Sequence, residues 1–274
     1  MNCCITVCEK PLDEKFWDEQ WKSNTIGWDI GHVSPPIASL IDTIDNKNAS
    51  ILIPGCGSAY EAEYLLSEGF TNITLIDISE SACDILIDKF SNTTNVKIIH
   101  GDFFKLDTYF DVIIEQTFFC AIPPQWRTKY LWKMHQLLNT NGILLGLLFN
   151  RTFDAGPPFG GNEAEYRNLF NFAFEIALFE KAENSIDPRK NSELLFLFKK
   201  NDVQISRYHF IGITCNGCRT EIEEKIKEIP NVLNVIINSE FTEMIIVSNT
   251  GIPKHLIKQK IAYDTKYSIV EINE

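Results

Sequence analysis

Apolar runs alternate with amphipathic stretches over the first 150 positions. Residues 50–55 (SILIPG), 72–78, 95–102, 110–116 and 142–149 are apolar nearly throughout and bounded by turn residues, which predicts buried strands. Residues 58–70, 80–90 and 124–139 carry apolar positions at helical spacing, and the last stretch starts on a proline, which predicts helices. Strands without a polar face, separated by helices, imply a parallel sheet covered on both sides. That is a doubly wound, Rossmann-like α/β fold, with its ligand at the carboxyl ends of the strands.

The pattern changes near residue 200. Residues 207–214 alternate as a strand does, and 219–229 place Ile222, Ile226 and Ile229 on one helical face. Two strands follow at 232–238 and 243–249, then a helix at 253–262 and a strand at 267–272. The order βαββαβ predicts a small ferredoxin-like α+β unit that folds by itself. The KKNDVQ stretch (199–204) marks the boundary, so the expected domains are 1–202 and 203–274.

Charge sharpens the division. Residues 1–202 hold 17 Lys and Arg against 28 Asp and Glu, while 203–274 hold 8 against 9. The net charge of −12 argues against nucleic acid and anionic membrane as partners, because both require basic surface. No apolar run is long enough to span a bilayer, and the MNCCITVCEK start lacks the features of a signal peptide. A cytoplasmic protein is expected, with its eight cysteines reduced rather than joined in a disulfide framework.

The candidate chemistry begins at PGCGSAYE. Gly55 and Gly57 permit a tight turn and a close backbone approach, and Asp77 ends the second predicted strand, where a carboxylate can accept from ribose hydroxyls. Tyr60 stands where a dinucleotide fingerprint has its third glycine, so a nucleoside without a pyrophosphate fits better than NAD. Asp102 ends the third strand near a bound adenine, with Phe103 placed to stack on it. These positions point to S-adenosylmethionine.

The second feature is GITCNGCRTEI (212–222), two thiols entering a helix. The helix start favours their thiolate form. A structural zinc site needs two more ligands, and a thioredoxin-type redox centre needs a larger fold. Cys215 and Cys218 alone suit a low-coordinate soft ion, with Cu(I) the first candidate. Cys3, Cys4 and Cys8 form either a thiol cluster that shares this metal or part of a disordered tail.

FWDEQWKSNTIGWDIGHVSPPI (16–37), LIPGCGSAYEAEYL (52–65), EQTFFCAIPPQWRTKYLWKM (115–134) and GPPFGG (156–161) occur in one order. Together they resemble the thiopurine methyltransferase superfamily, nearest its thiol and halide methyltransferase branch. The resemblance implies a class I methyltransferase fold, S-adenosylmethionine as donor, and a small soft acceptor such as a thiol, sulfide, thiocyanate or halide. It implies a cofactor lid at Trp17, Trp21 and Trp28. It also assigns Gly55, Gly57 and Asp77 to the cofactor loop and ribose, and Asp102 and Phe103 to adenine. Gln116 and Thr117 fall where donor and acceptor meet. Glu61 replaces the Asp of many relatives. Residues 206–272 resemble the heavy-metal-associated domain, with Ile213 in place of its methionine and Tyr267, after Lys266, at its loop-capping position. That second resemblance implies a metal-donor protein as a partner.

The chemistry agrees with a soft acceptor. Displacement at a sulfonium methyl needs alignment and a dry pocket more than a base. Phe118, Phe119, Phe153 and Phe159, beside Pro157-Pro158, form an aromatic candidate wall, and no obvious His or Lys base stands among the motif residues, His32 and His100 being isolated and read as structural. The expected protein is an S-adenosylmethionine-dependent thiol or sulfide S-methyltransferase joined to a soft-metal domain. Halide, thiocyanate or metalloid methylation in detoxification stays open, as does metal trafficking with a non-catalytic methyltransferase fold.

Overall fold

The computed structural model describes residues 11–262 and 266–272, so Cys3, Cys4 and Cys8 lie outside the described residues. In chain order the first sheet and its helices comprise α1 (Glu14–Lys22), α2 (Pro35–Ile41), β1 (Ile51–Pro54), α3 (Tyr60–Ser67), β2 (Ile73–Asp77), α4 (Glu80–Lys89), β3 (Val96–His100), β4 (Phe110–Glu115), α5 (Arg127–Leu137), β5 (Leu138–Phe149), α6 (Glu163–Phe170), β6 (Phe174–Lys181) and β7 (Glu193–Lys200). The strand order is β3-β2-β1-β4-β5-β7-β6.

β1 to β5 pair in parallel, as their two-sided apolar runs require. β7, which the sequence pattern does not reach, is antiparallel to both β5 and β6. No crossover helix stands between β6 and β7, so the chain can only turn back on itself. One core layer packs Ile37 and Ile41 of α2, Leu65 of α3 and Leu86 of α4 against Ile51, Ile53 and Leu75. The other packs Leu131 and Met134 of α5 and Phe170 of α6 against Leu52, Ile113, Leu144 and Phe196. Each such side chain contributes about 1.5–3 kcal/mol on burial.

Residues 201–203 lead directly into a second sheet: β8 (Gln204–Ile211), α7 (Asn216–Lys227), β9 (Val232–Ile237), β10 (Glu243–Ser248), α8 (Lys254–Ile261) and β11 (Ser268–Ile272). Its order is β11-β8-β10-β9, antiparallel throughout. Ile222 and Ile226 of α7 and Ile257 and Ile261 of α8 fill one face.

The opposite face does not stand free. Ile205, Ile236 and Ile245 join the core of the first sheet. Thr128 of α5 donates its hydroxyl to Glu243 Oε1 at 3.0 Å, and the Arg207 guanidinium stacks 4.5 Å above the Trp132 ring. α5 therefore lies between two sheets, which is why eight of its eleven residues are buried, Arg127, Lys133 and His135 included. Among the described residues no helix is long and apolar enough to cross a membrane.

Candidate active site

The strand order reverses between β1 and β4, which opens a crevice above their carboxyl ends. Gly55 (φ +56°) and Gly57 (φ +50°) turn the chain there in the left-handed region. A Cβ on Gly55 would stand 2.3 Å from Cδ2 of Phe118, so no larger residue fits. Asp77, at the end of β2, accepts from Gly57 N–H at 3.0 Å and from Ser79 N–H at 2.9 Å. Burial pushes its carboxyl above the usual range while these amides pull the other way. Asp77 thus ties the glycine loop to the neighbouring strand end.

The tryptophan segment lies over this loop. Asp13 caps α1 by accepting from Phe16 N–H. Asp18 accepts from Ser79 Oγ and Ser81 N–H at 3.0 and 2.9 Å, and with Lys22 at 2.5 Å its carboxyl is held far below the ordinary value. Trp17 and Trp21 meet Trp28 edge to face at 5.7 and 6.3 Å. Trp21 approaches to 3.5 Å of the point a Gly57 Cβ would occupy. Asp29 receives the Ser58 hydroxyl and latches the segment to the loop. A cleft of about 490 Å³ remains, lined by Trp28, Gly55, Gly57, Glu61, Gln116 and Thr117 among others. Burial raises the Glu61 carboxyl to about 7.

Asp102 and Phe103, assigned to adenine by the resemblance, follow the end of β3. Asp102 caps the short turn after β3, accepting from Phe104 N–H at 2.9 Å. Phe103 is 5% exposed, its ring 5.1 Å from Phe118 and 6.4 Å from Tyr130. The ring is part of the core cluster. Phe118 shares that aromatic cluster, so of the candidate wall only Phe119 faces the chamber described next. Phe153 backs it by packing edge-on against Phe149 at 5.1 Å. Phe159 donates its N–H to Cys120 O at 2.6 Å.

The turn after β4 separates the cleft from a second chamber. Thr117 has φ +60°, a left-handed conformation that a β-branched residue adopts at a cost of roughly 1–3 kcal/mol. Glu115 explains how the turn is held. Its Oε1 accepts from the N–H groups of Phe118 and Phe119, both at 2.8 Å, and its Oε2 accepts from Tyr130 Oη at 2.6 Å. It is fully buried, and burial raises its carboxyl to about 7. Gln116, which lines the cleft, has its Oε1 buried without a hydrogen-bond partner. The chamber beyond is about 250 Å³, walled by Thr117, Phe119, Cys120, Leu147, Leu148 and Phe149, with Glu193 its one charged lining residue.

Sequence reasoning missed Glu115, Arg189 and Glu193. Glu115 ends an apolar strand, where a carboxylate is a visible signal. Arg189 and Glu193 belong to no motif. Arg189 donates to Trp28 O at 2.9 Å, while its Nη1, 3.6 Å from Glu193 Oε1, has no hydrogen-bond partner. Arg127 is occupied by Glu165 and by Gly160 O and braces the 156–161 loop.

Cys215 caps α7, with its Sγ accepting from Cys218 N–H at 3.3 Å and lying 2.8 Å from Cys218 Sγ. The hydrogen bond from Cys215, then that from Tyr267, lowers the Cys218 thiol below its ordinary value. Among the described residues no three His, Cys, Asp or Glu side chains converge as a metal site.

The cleft suits a nucleoside bearing an amino-acid tail: a close glycine loop, a carboxylate behind it and an unpaired Gln116 acceptor. The fold matches solved class I methyltransferases. One is a Burkholderia thailandensis 1,6-didemethyltoxoflavin-N1-methyltransferase with bound S-adenosylhomocysteine, at a TM-score of 0.57 and 18% identity over 69% of this chain and 87% of that one. A "Probable thiol methyltransferase 2" of Arabidopsis thaliana is 33% identical over 192 residues, covering 68% of this chain and 84% of the relative. "Thiocyanate methyltransferase 1" of Brassica oleracea is 30% identical over 197 residues, covering 69% and 86%. Residues 12–207 match the thiopurine S-methyltransferase (TPMT) family profile, and the chain is a methyltransferase belonging to that family.

Proposed function

We propose that the protein transfers the methyl group of S-adenosylmethionine to a small thiol or to sulfide, and that residues 203–274 form an appended heavy-metal-associated domain. The observation that carries the first part is the apolar chamber on the far side of Thr117 from the cofactor cleft, walled by Phe119, Leu147, Leu148 and Phe149 and without a His or Lys base in its lining. S-adenosylmethionine supplies an activated methyl on a sulfonium. The chain contributes containment and alignment. The glycine loop, tied by Asp77, approaches the cofactor, and Gln116 Oε1 accepts from one of its donors. The Glu115-held turn sets Thr117 between cleft and chamber, and Phe119, Leu147 and Phe149 keep water from the nucleophile. The relatives named for thiol and thiocyanate methylation support a soft acceptor.

The test is a product assay with sulfide, simple thiols, thiocyanate, iodide, an alcohol and an amine. Methylated sulfide and thiols are expected. Turnover confined to the alcohol or amine refutes the reading, and turnover confined to thiocyanate and iodide favours the halide reading. The second part rests on the paired Cys215 and Cys218 thiols at the start of α7 and on the βαββαβ order of the second sheet. One soft ion, Cu(I) first, is expected there in a cytoplasmic protein with reduced thiols, supplied by a metal-donor protein. Competition with a Cu(I) chelator measures it.

A further inference from the structure

Glu193 is the first residue of β7, paired in register with Phe149 of β5, and is 3% exposed. It lines the chamber together with Thr117 and Phe119. Its Oε2 is buried without a hydrogen-bond partner. The facing Nη1 of Arg189 is likewise unpartnered, although its distance of 3.6 Å from Glu193 Oε1 preserves the electrostatic attraction. Two opposite charges that decline to close on each other, beside an apolar chamber, leave one acceptor and one donor for something else.

We propose that Glu193 is the proton acceptor for neutral thiol and sulfide acceptors, a role that rests on the acceptor reading above. The S–H bond breaks and its proton passes to Glu193 Oε2. The sulfur lone pair so released attacks the sulfonium methyl, and the donor sulfur leaves with the electron pair of the broken bond as a neutral thioether. The proton is afterwards lost from Glu193 to solvent. Arg189 offers its free N–H to the thiolate while the proton resides on the carboxyl. Burial raises the Glu193 carboxyl, against the pull of Ser185 and Arg189, and so brings its proton affinity nearer that of a thiol. The other titratable group lining the chamber is Cys120, whose thiol burial pushes up and which stays neutral. The lining residues of β5, Leu147, Leu148 and Phe149, bring no charge.

An anionic acceptor needs no such step, and that separates this role from simple support of the strand. A thiol of ordinary pKa is only about 3% thiolate at pH 7, so a working base is worth up to roughly 30-fold there. The experiment compares kcat/KM for an aliphatic thiol and for thiocyanate, an anion at every pH used, in wild type and Glu193→Gln. The ratio of thiol to thiocyanate is expected to fall about 10- to 30-fold in the variant at pH 7. The variant's thiol rate should then climb about tenfold per pH unit towards the thiol's own pKa, more steeply than wild type. Glu193→Asp, which keeps a carboxylate, should recover part of the ratio. An unchanged ratio, or an equal loss with both acceptors, overturns the role while leaving the thiol reading intact. Wild-type turnover of thiocyanate but of no thiol refutes the thiol reading itself, and this step with it.

Discussion

Glu243→Ala should destabilise the chain by about 1.5–3 kcal/mol, although the residue lies in the second sheet and the loss falls at the contact with the first. Arg207 is buried, with 3% of its side chain exposed, and Glu243 Oε2 accepts from its Nη2 at 2.7 Å. Removing Glu243 takes one charge-assisted hydrogen bond from a buried guanidinium, which costs about 1.5–3 kcal/mol. Thr128, 3% exposed on α5, loses its acceptor as well, a cost of about 1–3 kcal/mol when borne alone and not simply additive with the first. Arg207→Met combined with Glu243→Met removes both charges and should be far milder, near neutral. Urea unfolding followed by tryptophan fluorescence reads this directly, because Trp132 lies under the Arg207 guanidinium. If Glu243→Ala costs under 1 kcal/mol, or the double variant costs as much as the single, the pair is not buried between α5 and the second sheet and the shared core is wrong.

Asp77→Ala should weaken S-adenosylmethionine binding by about 1–3 kcal/mol through release of the Gly57 amide, and calorimetry with unchanged affinity removes Asp77 from the site. Glu61 and Glu115 have folded values of about 7 against ordinary values near 4.5, so the stability they lend is present below about pH 4.5 and lost as pH rises through 7; Glu115→Gln should flatten that decline in urea midpoints measured from pH 5 to 8, and an unaltered slope refutes it. Thr117→Gly should relieve about 1–2 kcal/mol of left-handed strain, partly offset by backbone entropy, yet lower kcat by removing the wall between cleft and chamber; a variant less stable than wild type shows that the strain is not stored. Cys215→Ser with Cys218→Ser should abolish high-affinity Cu(I) binding and leave thiol methylation largely intact, and loss of methylation without unfolding would place the two thiols in the catalytic cycle.

The fold was legible wherever one signal dominated. Apolar runs gave β1 to β5 to within a few residues, because burial on both faces leaves no other pattern. β6 was harder: FEIALFEK mixes strand alternation with good helix formers, and only its pairing with β7 decides. The NTNG stretch at 139–142 reads as a turn, yet β5 starts at Leu138. Phe110 pairs with Leu138, and the register shift before Val112, with Asn141 at φ +63°, absorbs what looked like a loop. The contact made by the last seventy residues was not legible at all. Charge and element order mark a separate unit, but neither reports which face of a sheet is covered. Ile205, Ile236 and Ile245 have the pattern of any two-faced strand, and only packing shows that α5 is their partner.

The candidate site divides along the same physical line. The glycine loop and Asp77 leave a signal in the sequence because a local strand-to-helix geometry demands those residue types at fixed spacing, while Gln116 and Thr117 were assigned only through the family resemblance. The placement of Phe103 was not legible, because an aromatic ring at a strand end can face cleft or core with equal local fit, and only the structure shows it packed beside Phe118 and Tyr130. Arg189 and Glu193 could not be found by spacing at all. They stand over 70 residues after Thr117, Arg189 in the short turn before the antiparallel strand and Glu193 at its first position, and Glu193 reaches the chamber only because β7 inserts beside β5. A buried pair in hydrogen-bond contact would be a structural bridge. At 3.6 Å, with Nη1 and Oε2 both unpartnered, the two groups keep the cost of desolvation without the full gain of pairing. Such a cost persists in a fold when the groups are completed by something that comes and goes, and in this chamber a thiol with its proton is small enough to do so.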